Sequence, residues 1–228
     1  MHGQTSNEAF YNKNYRNLNY FNYKEWLYRP YISSLIKYCL LPKGASVLDV
    51  GCGQGFFSYQ FSKHGMKTHG IDISETGIRA ARNTYGRFGI TFTVGDAHTA
   101  RFAEPFDCVF IRSCSLYNTE IFPNNRGITD SLLRHLKPGG VLVFAYNSSF
   151  KQCATWRHHS LNDVYQHFSH YPDTRIFFLN KLTTYILRKR SFSQFLTRCN
   201  TALSNATGIG GEIVCIVRNL KCAERERA

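Results

Sequence analysis

The sequence contains no hydrophobic run that approaches the roughly 18 residues needed to span a bilayer. Its N-terminus is polar and lacks the apolar stretch of a secretory signal peptide. The eight cysteines form no CxxC pair and show no zinc-ligand spacing, and most lie among apolar residues, as reduced thiols do. These absences exclude the common membrane-spanning and zinc-binding classes. We expect a soluble cytoplasmic protein that binds no metal and no membrane.

Positive charge is what the sequence has in excess, with a net charge of +13 over 228 residues. Residues 151–228 carry twelve basic and five acidic residues, whereas residues 46–150 carry ten and eight. A basic surface attracts anionic partners without identifying them. An anionic small molecule and a nucleic acid therefore both stay open as partners, and the oligomeric state is not predicted.

Strand-like segments alternate with helical patterns between about residues 44 and 147. The predicted strands are ASVLDVG, MKTHGIDI, ITFTVGD, PFDCVFIRS and VLVFAYN, with the turn KPGG before the last. Strands connected through helices form parallel sheets with helices on both faces. The predicted fold class is therefore α/β, with a Rossmann-like, mostly parallel sheet.

The N-terminal segment, residues 1–43, is predicted as an aromatic lid. Nine aromatic residues lie between residues 8 and 31, and a helical pattern then runs from Lys24 to about Leu41. Such a segment can fold over a ligand or pack against the sheet as a satellite core, and both roles can hold together.

The alternation weakens after Asn147, and residues 148–190 are predicted as an insertion with a helix near Leu161–Ser169. A helix at 191–205 and a final strand, GEIVCIVRNL, follow. RIFFLN and part of KLTTYILRK compete for a sixth strand, and the sequence does not decide between them.

The stretch VLDVGCGQGF at residues 47–56 predicts a ligand-binding turn between a strand and a helix. A glycine-rich turn lets a ligand approach backbone N–H groups at the positive end of a helix. The lysine and hydroxyl of a triphosphate-binding P-loop are missing, and Phe56 stands where a dinucleotide-binding turn has its third glycine. The pattern therefore argues against a nucleoside triphosphate as the ligand, and NAD remains a competing interpretation.

Two acidic residues at the ends of later strands narrow the identity of the predicted ligand. Asp72 ends the second strand, where a carboxylate can accept hydrogen bonds from ribose hydroxyls. Asp96 follows the third strand, where it can accept from an adenine amino group. Together LDVGCGQG, GIDIS, VGDA, FDCVF and LKPGGVLVF resemble the class I S-adenosylmethionine-dependent methyltransferases, over about residues 44–147.

The resemblance implies an enzyme with S-adenosylmethionine as its cofactor and residues 44–228 as its catalytic domain. It implies that the glycine turn meets the methionine part, that Asp72 holds the ribose and that Asp96 takes the adenine amino group. The implied cofactor residues are Asp49, Gly51, Cys52, Gly53, Gly55, Asp72, Ile73, Asp96, Ala97, Arg112 and Ser113. Residues 148–190 would then bind the methyl acceptor.

Candidate catalytic residues follow the fourth strand and lie in the insertion. Tyr117 could orient an acceptor near the methyl group or pack on the cofactor, and His158 and His159 could act as general bases. His167 and His170 lie one helical turn apart, but without further ligands they predict no metal site.

We expect methylation of a small molecule, at oxygen more than at nitrogen or carbon, with a secondary metabolite or a glycan as acceptor. The loop RSCSLYN lacks the [DNS]PP[YFW] motif of enzymes that methylate exocyclic amines of nucleic acid bases. An RNA methyltransferase is the alternative, motivated by the basic residues 151–228. A cofactor-binding regulator without catalysis is a further alternative.

Overall fold

The computed structural model describes residues 6–17, 20–122, 124–148, 156–187 and 192–219. The strands are β1 (Ser46–Val50), β2 (Lys67–Asp72), β3 (Thr91–Val94), β4 (Phe106–Arg112), β5 (Leu136–Ser148), β6 (Thr174–Asn180) and β7 (Gly211–Arg218). The helices are α1 (Ser6–Asn14), α2 (Glu25–Cys39), α3 (Phe56–Lys63), α4 (Glu75–Tyr85), α5 (Gly127–Leu133), α6 (Leu161–Phe168), α7 (Lys181–Leu187) and α8 (Gln194–Thr207). None of these described helices is long and apolar enough to cross a bilayer.

The seven strands form one sheet in the order β3-β2-β1-β4-β5-β7-β6. Strands β1 to β5 run parallel, and β7 pairs antiparallel with both β5 and β6. The predicted Rossmann-like α/β fold is confirmed. The strand order reverses at β1, so a crevice opens there beyond the carboxyl ends of β1 and β4, where parallel sheets bind ligands.

The register of the central strands aligns the residues that follow them. Val50 of β1 pairs with Ile71 of β2 and with Ile111 of β4. The next residues along the three strands, Gly51, Asp72 and Arg112, therefore emerge together at one edge of the sheet.

The sixth strand is RIFFLN, and the competing segment KLTTYIL is helical. The side chain of Asn180 ends β6, because its Oδ1 accepts the backbone N–H of Leu182 at 2.8 Å at the start of α7. Residues 148–190 thus contribute both α6 and an edge strand of the main sheet. Strand β5 also begins earlier than predicted, since it includes the KPGG segment, with an irregular register against β4.

The N-terminal segment packs on both the sheet and the ligand-binding edge. Helix α2, predicted from Lys24, buries Tyr31, Ile32 and Leu35 in the apolar layer on one face of the sheet. Helix α1 lies against α4, where Asn12 Oδ1 accepts from the Ser74 hydroxyl at 2.8 Å and the Thr76 N–H at 3.1 Å. This contact brings α1 over the carboxyl ends of β1 and β2.

Candidate functional site

A cavity of about 890 Å³ lies at the carboxyl edge of the sheet. The turns after β1, β2, β3 and β4 form its floor, and residues of α1 and the segment 21–25 form its roof. Every predicted cofactor residue except Gly55 lines it. The sequence prediction therefore selected residues that meet at one place, although their individual roles stay predictions.

The turn after β1 has room for glycine and for little else. Gly51 and Gly53 have φ angles of +69° and +52°. A Cβ on Gly51 would lie 2.7 Å from Cys114 Sγ, and one on Gly53 would lie 2.7 Å from Tyr15 Oη. Because side chains are excluded here, the backbone itself forms the cavity wall, as close approach of a ligand requires.

Asp72 is buried at the end of β2 and bonds to the backbone on two sides. Its Oδ2 accepts the Gly53 N–H and its Oδ1 accepts the Ser74 N–H, each at 2.8 Å. Burial raises the pKa of Asp72 to about 6. Each carboxylate oxygen keeps a lone pair after these bonds, so Asp72 fits the role of accepting from a diol in the cavity.

Asp49 lies behind the turn, and its Oδ2 accepts the Ser58 hydroxyl at 2.6 Å. Burial raises the pKa of Asp49 to about 7, and the nearby Asp72 adds to this effect. A buried carboxyl with few donors is stabilised as an anion by a cation brought close to it. The cavity therefore suits a ligand that carries positive charge.

Ser113, directly after β4, is the strained residue of the site. Its φ angle is +47°, in the left-handed region, and its N–H donates to the Ala145 carbonyl at 2.8 Å. Its buried hydroxyl has no hydrogen-bond partner among the described residues. A strained backbone and an unpartnered buried hydroxyl in a cavity wall are typical of a residue that contacts a ligand.

The guanidinium of Arg112 lies among the rings of Tyr23, Tyr28 and Phe57. Its Nε donates to Glu212 Oε1 at 2.6 Å, and its Nη1 and Nη2 donate to the phenol oxygens of Tyr23 and Tyr28 at 3.1 and 3.3 Å. Burial lowers the pKa of Arg112, but Glu212 and the phenols outweigh burial and raise it above its ordinary value. No local pattern in the sequence indicates this contact, which joins residues 100 positions apart.

None of the three predicted catalytic residues is among the described residues that line the cavity. The Tyr117 hydroxyl is buried and bonds to Thr129 Oγ1 at 2.9 Å. His159 Nε2 bonds to the Tyr117 carbonyl at 2.7 Å, and His158 Nδ1 bonds to the Asn147 carbonyl at 3.2 Å. Each ring thus has a structural contact, and the catalytic roles stay predictions.

One of the two histidines considered as a metal pair already has a hydrogen-bond partner. His167 is fully buried, and its Nε2 bonds to Thr129 Oγ1 at 2.8 Å. Within the described ranges, no group of three His, Cys, Asp or Glu side chains could hold a metal ion.

The roof residues are the part of the site that the sequence did not identify individually. Tyr11, Tyr15 and Tyr23 line the cavity from above. Gln54 holds the roof, because its Nε2 donates to the carbonyls of Tyr15 and Asn17 at 3.2 and 2.9 Å. Its Oε1 accepts the Tyr20 N–H at 2.9 Å. The only sequence signal was the run of aromatics interleaved with asparagine.

The charge of the cavity is opposite to that of the whole chain. The carboxylates that line it are Glu8, Glu25, Asp49, Asp72 and Asp96. Arg112 is the basic residue among the described lining residues, and Glu212 pairs with it. The net charge of +13 therefore does not indicate an anionic ligand in this cavity.

Comparison with known proteins points to one enzyme family. A family model described as a methyltransferase domain matches residues 41–190. The ubiquinone biosynthesis O-methyltransferase of Azoarcus sp. (strain BH72) is 34% identical over 113 residues, 47% of each chain. The 2-methyl-6-phytyl-1,4-hydroquinone methyltransferase of Synechocystis sp. is 38% identical over 108 residues, 46% of this chain and 33% of the relative. The chain thus spans half or less of these curated relatives.

Solved structures share the fold across almost the whole chain. Phosphoethanolamine N-methyltransferase 2 of Haemonchus contortus superposes with a TM-score of 0.67 at 16% identity, covering 95% of this chain and 60% of that one. N-methyltransferase NodS of Bradyrhizobium japonicum, solved with S-adenosylhomocysteine, has a TM-score of 0.65 at 16% identity, covering 94% and 99%.

Proposed function

The chain belongs to the class I S-adenosylmethionine-dependent methyltransferases, and from this premise we propose that it methylates a small molecule. The observation that carries the proposal is the joining of the glycine turn, Asp72 and Asp96 in one roofed cavity. The aromatic roof supports the predicted lid role, because a roof over the reacting atoms excludes water and holds the reactants in alignment.

The cavity residues fit the family's cofactor, S-adenosylmethionine. Asp72 would accept from the ribose hydroxyls, Asp96 from the adenine amino group, and Ile73 would pack on the adenine. The glycine turn and Ser113 would meet the methionine part. When bound, the cofactor supplies an electrophilic methyl group together with its own leaving group. Its positive charge suits the acidic lining, and this chain's task is then to bind, orient and exclude water.

The acceptor we propose is a neutral molecule that is methylated on oxygen. The relatives named as ubiquinone biosynthesis O-methyltransferases support oxygen as the acceptor atom. A neutral acceptor is favoured over the anionic one considered from the sequence, because Arg112, the basic residue among the described lining residues, already pairs with Glu212.

Among neutral acceptors, a phenolic metabolite is favoured over a glycan. No histidine is among the described residues that line the cavity, so we favour an acceptor that loses its proton without help from an imidazole. A phenol, with a pKa of about 10, loses its proton far more readily than a sugar hydroxyl. Aromatic roof residues such as Tyr11 and Tyr15 also offer faces for stacking. A secondary metabolite of this kind is therefore the first candidate.

RNA remains the alternative acceptor, on the basis of the twelve basic residues among residues 151–228. RNA binding releases counterions, so methylation of tRNA or rRNA would fall steeply as salt is raised. A flat salt response of the activity favours the small molecule.

The experiment is incubation with methyl-labelled S-adenosylmethionine and a metabolite extract, followed by a search for labelled product. We expect a labelled phenolic ether from the wild-type protein and none from Asp72→Asn. Asp107→Asn is the matched control, since Asp107 pairs with Lys137 at the opposite edge of the sheet. Binding of S-adenosylhomocysteine without any labelled product would instead support a non-catalytic regulator.

A further inference from the structure

The phenol of Tyr23 is held in the cavity wall by contacts on three sides. Its ring packs against Phe56 and Phe57, with centroids 5.1 and 5.0 Å away, at the start of α3. The guanidinium of Arg112 lies 5.3 Å from its ring centre. The preceding Asn22 has a φ angle of +49°, which asparagine tolerates better than most residues, and this turn directs the chain into the cavity.

The direction of the hydrogen bond from Arg112 decides what the Tyr23 hydroxyl can do. A guanidinium has donors and no acceptor, so the Tyr23 oxygen must accept from Nη1, at 3.1 Å. The phenol proton is then left for another partner, and none of the described residues accepts it within hydrogen-bonding distance. Burial raises the pKa of Tyr23 to about 12, although Arg112 opposes this, so the hydroxyl stays protonated at neutral pH. Tyr23 is therefore a fixed donor that lines the cavity.

The strand order indicates which part of the ligand this donor faces. Asp96 and Asp72 follow β3 and β2, on one side of β1, whereas Arg112 ends β4 on the other side. With adenine and ribose on the β3 and β2 side, the opposite end of the cofactor reaches the β4 side. That end carries an α-amino group and a carboxylate, and only the carboxylate accepts hydrogen bonds.

We propose that Tyr23 binds the amino-acid carboxylate of the cofactor through its hydroxyl, with Arg112 and Glu212 as positioning residues. The inference rests on the cofactor of the proposed function and is independent of the acceptor. Because Glu212 neutralises Arg112, recognition depends on the directed hydroxyl and not on the net charge of the pair. The lid is thereby part of the cofactor site as well as its cover.

The test compares two ligands that differ at this end, S-adenosylhomocysteine and 5′-methylthioadenosine, which lacks the amino-acid portion. In a calorimetric titration, we expect Tyr23→Phe to weaken the binding of S-adenosylhomocysteine by about 10- to 100-fold. This is the range for losing a hydrogen bond to a charged group. Binding of 5′-methylthioadenosine should stay within about twofold of wild type, an allowance for small packing changes. The proposal would be overturned if the variant bound both ligands equally more weakly, or if its binding of both ligands were unchanged.

Tyr28→Phe is the matched control. Tyr28 accepts from the same guanidinium at 3.3 Å, yet it is not among the residues that line the cavity. The control should bind both ligands as the wild type does, and selective loss of S-adenosylhomocysteine in Tyr28→Phe would contradict the assignment to Tyr23.

Arg112→Lys tests the positioning role. A lysine ammonium lacks the planar set of donors with which a guanidinium contacts Glu212 and two phenols at once. The variant should therefore show the same selective loss of S-adenosylhomocysteine binding. In the double variant with Tyr23→Phe, no further loss is expected, because both changes remove one interaction. Additive losses would show that Arg112 does not act through Tyr23. A wild-type protein that binds neither ligand would overturn the cofactor assignment itself, which separates that failure from this one.

Discussion

Replacing Asp49 by asparagine should stabilise the ligand-free protein at pH 8, and should stabilise it less than half as much at pH 5, which lies only about one unit above the ordinary pKa of an aspartate. The carboxyl is 2% exposed and accepts a side-chain hydrogen bond from Ser58. Asparagine keeps a carbonyl oxygen that can accept the same bond. The substitution therefore removes a buried charge while preserving the shape and the main contact of the side chain.

The magnitude follows from the pKa of Asp49, which burial raises from 3.8 to about 7. A tenfold difference in proton affinity between the folded and unfolded states corresponds to about 1.4 kcal/mol, so the ionised carboxylate lowers stability by up to the order of 4 kcal/mol. Between pH 4 and pH 7 the folded state binds more protons at this site than the unfolded state. The stability contributed by the protonated group is thus lost as the pH rises through this window, and asparagine does not lose it.

The assay is urea or thermal unfolding without cofactor at pH 5 and pH 8. In a protein of this size each kcal/mol shifts Tm by about 2–4 °C, so the effect is easily resolved. Asp107→Asn is a control of opposite sign: burial would raise the pKa of Asp107, but Ser46 and Lys137 outweigh it and lower the pKa. That variant should lose stability at pH 8. An equal effect of Asp49→Asn at both pH values, or destabilisation at pH 8, would refute the reasoning.

The other substitutions test the turn, the roof and the neighbouring core. Gly53→Ala should abolish S-adenosylhomocysteine binding in a titration, because its Cβ would lie 2.7 Å from Tyr15 Oη at a φ angle of +52°; binding near the wild-type level would contradict the close-packed turn. Gln54→Ala removes three hydrogen bonds to the roof, so amide exchange at residues 15–20 should accelerate, and unchanged exchange would exclude a latch role. Tyr117→Phe removes the bond to Thr129 and should cost about 1 kcal/mol of stability with kcat unchanged, whereas a large fall in kcat would uphold its predicted catalytic role.

Local sequence patterns predicted the parts of the fold that local chemistry decides. The turn in VLDVGCGQGF needs positive φ angles, which glycine adopts readily. Its glycines therefore predicted the turn directly from the sequence. Asp72 and Asp96 could be placed because a parallel sheet brings the ends of its strands to one edge. The sixth strand could not be placed, since RIFFLN and KLTTYIL are both short apolar runs. Pairing with β7, a nonlocal contact, separates them.

Side-chain direction is the part of the site that the sequence could not supply. Tyr117 follows β4 as predicted, yet its hydroxyl bonds to Thr129, and Tyr117 is not among the described residues that line the cavity. Arg112 was predicted only as a cofactor residue, and nothing in the sequence indicated that its side chain joins Glu212 to Tyr23. These directions depend on partners far along the chain, and no periodicity in the sequence encodes them.

Titration calorimetry of the wild-type protein with S-adenosylhomocysteine and with NAD tests the central claim most directly. The two ligands share adenine and ribose but differ beyond them, where Phe56 replaces the third glycine of a dinucleotide-binding turn. The account predicts saturable one-to-one binding of S-adenosylhomocysteine and no binding of NAD. Binding of NAD without binding of S-adenosylhomocysteine would contradict it.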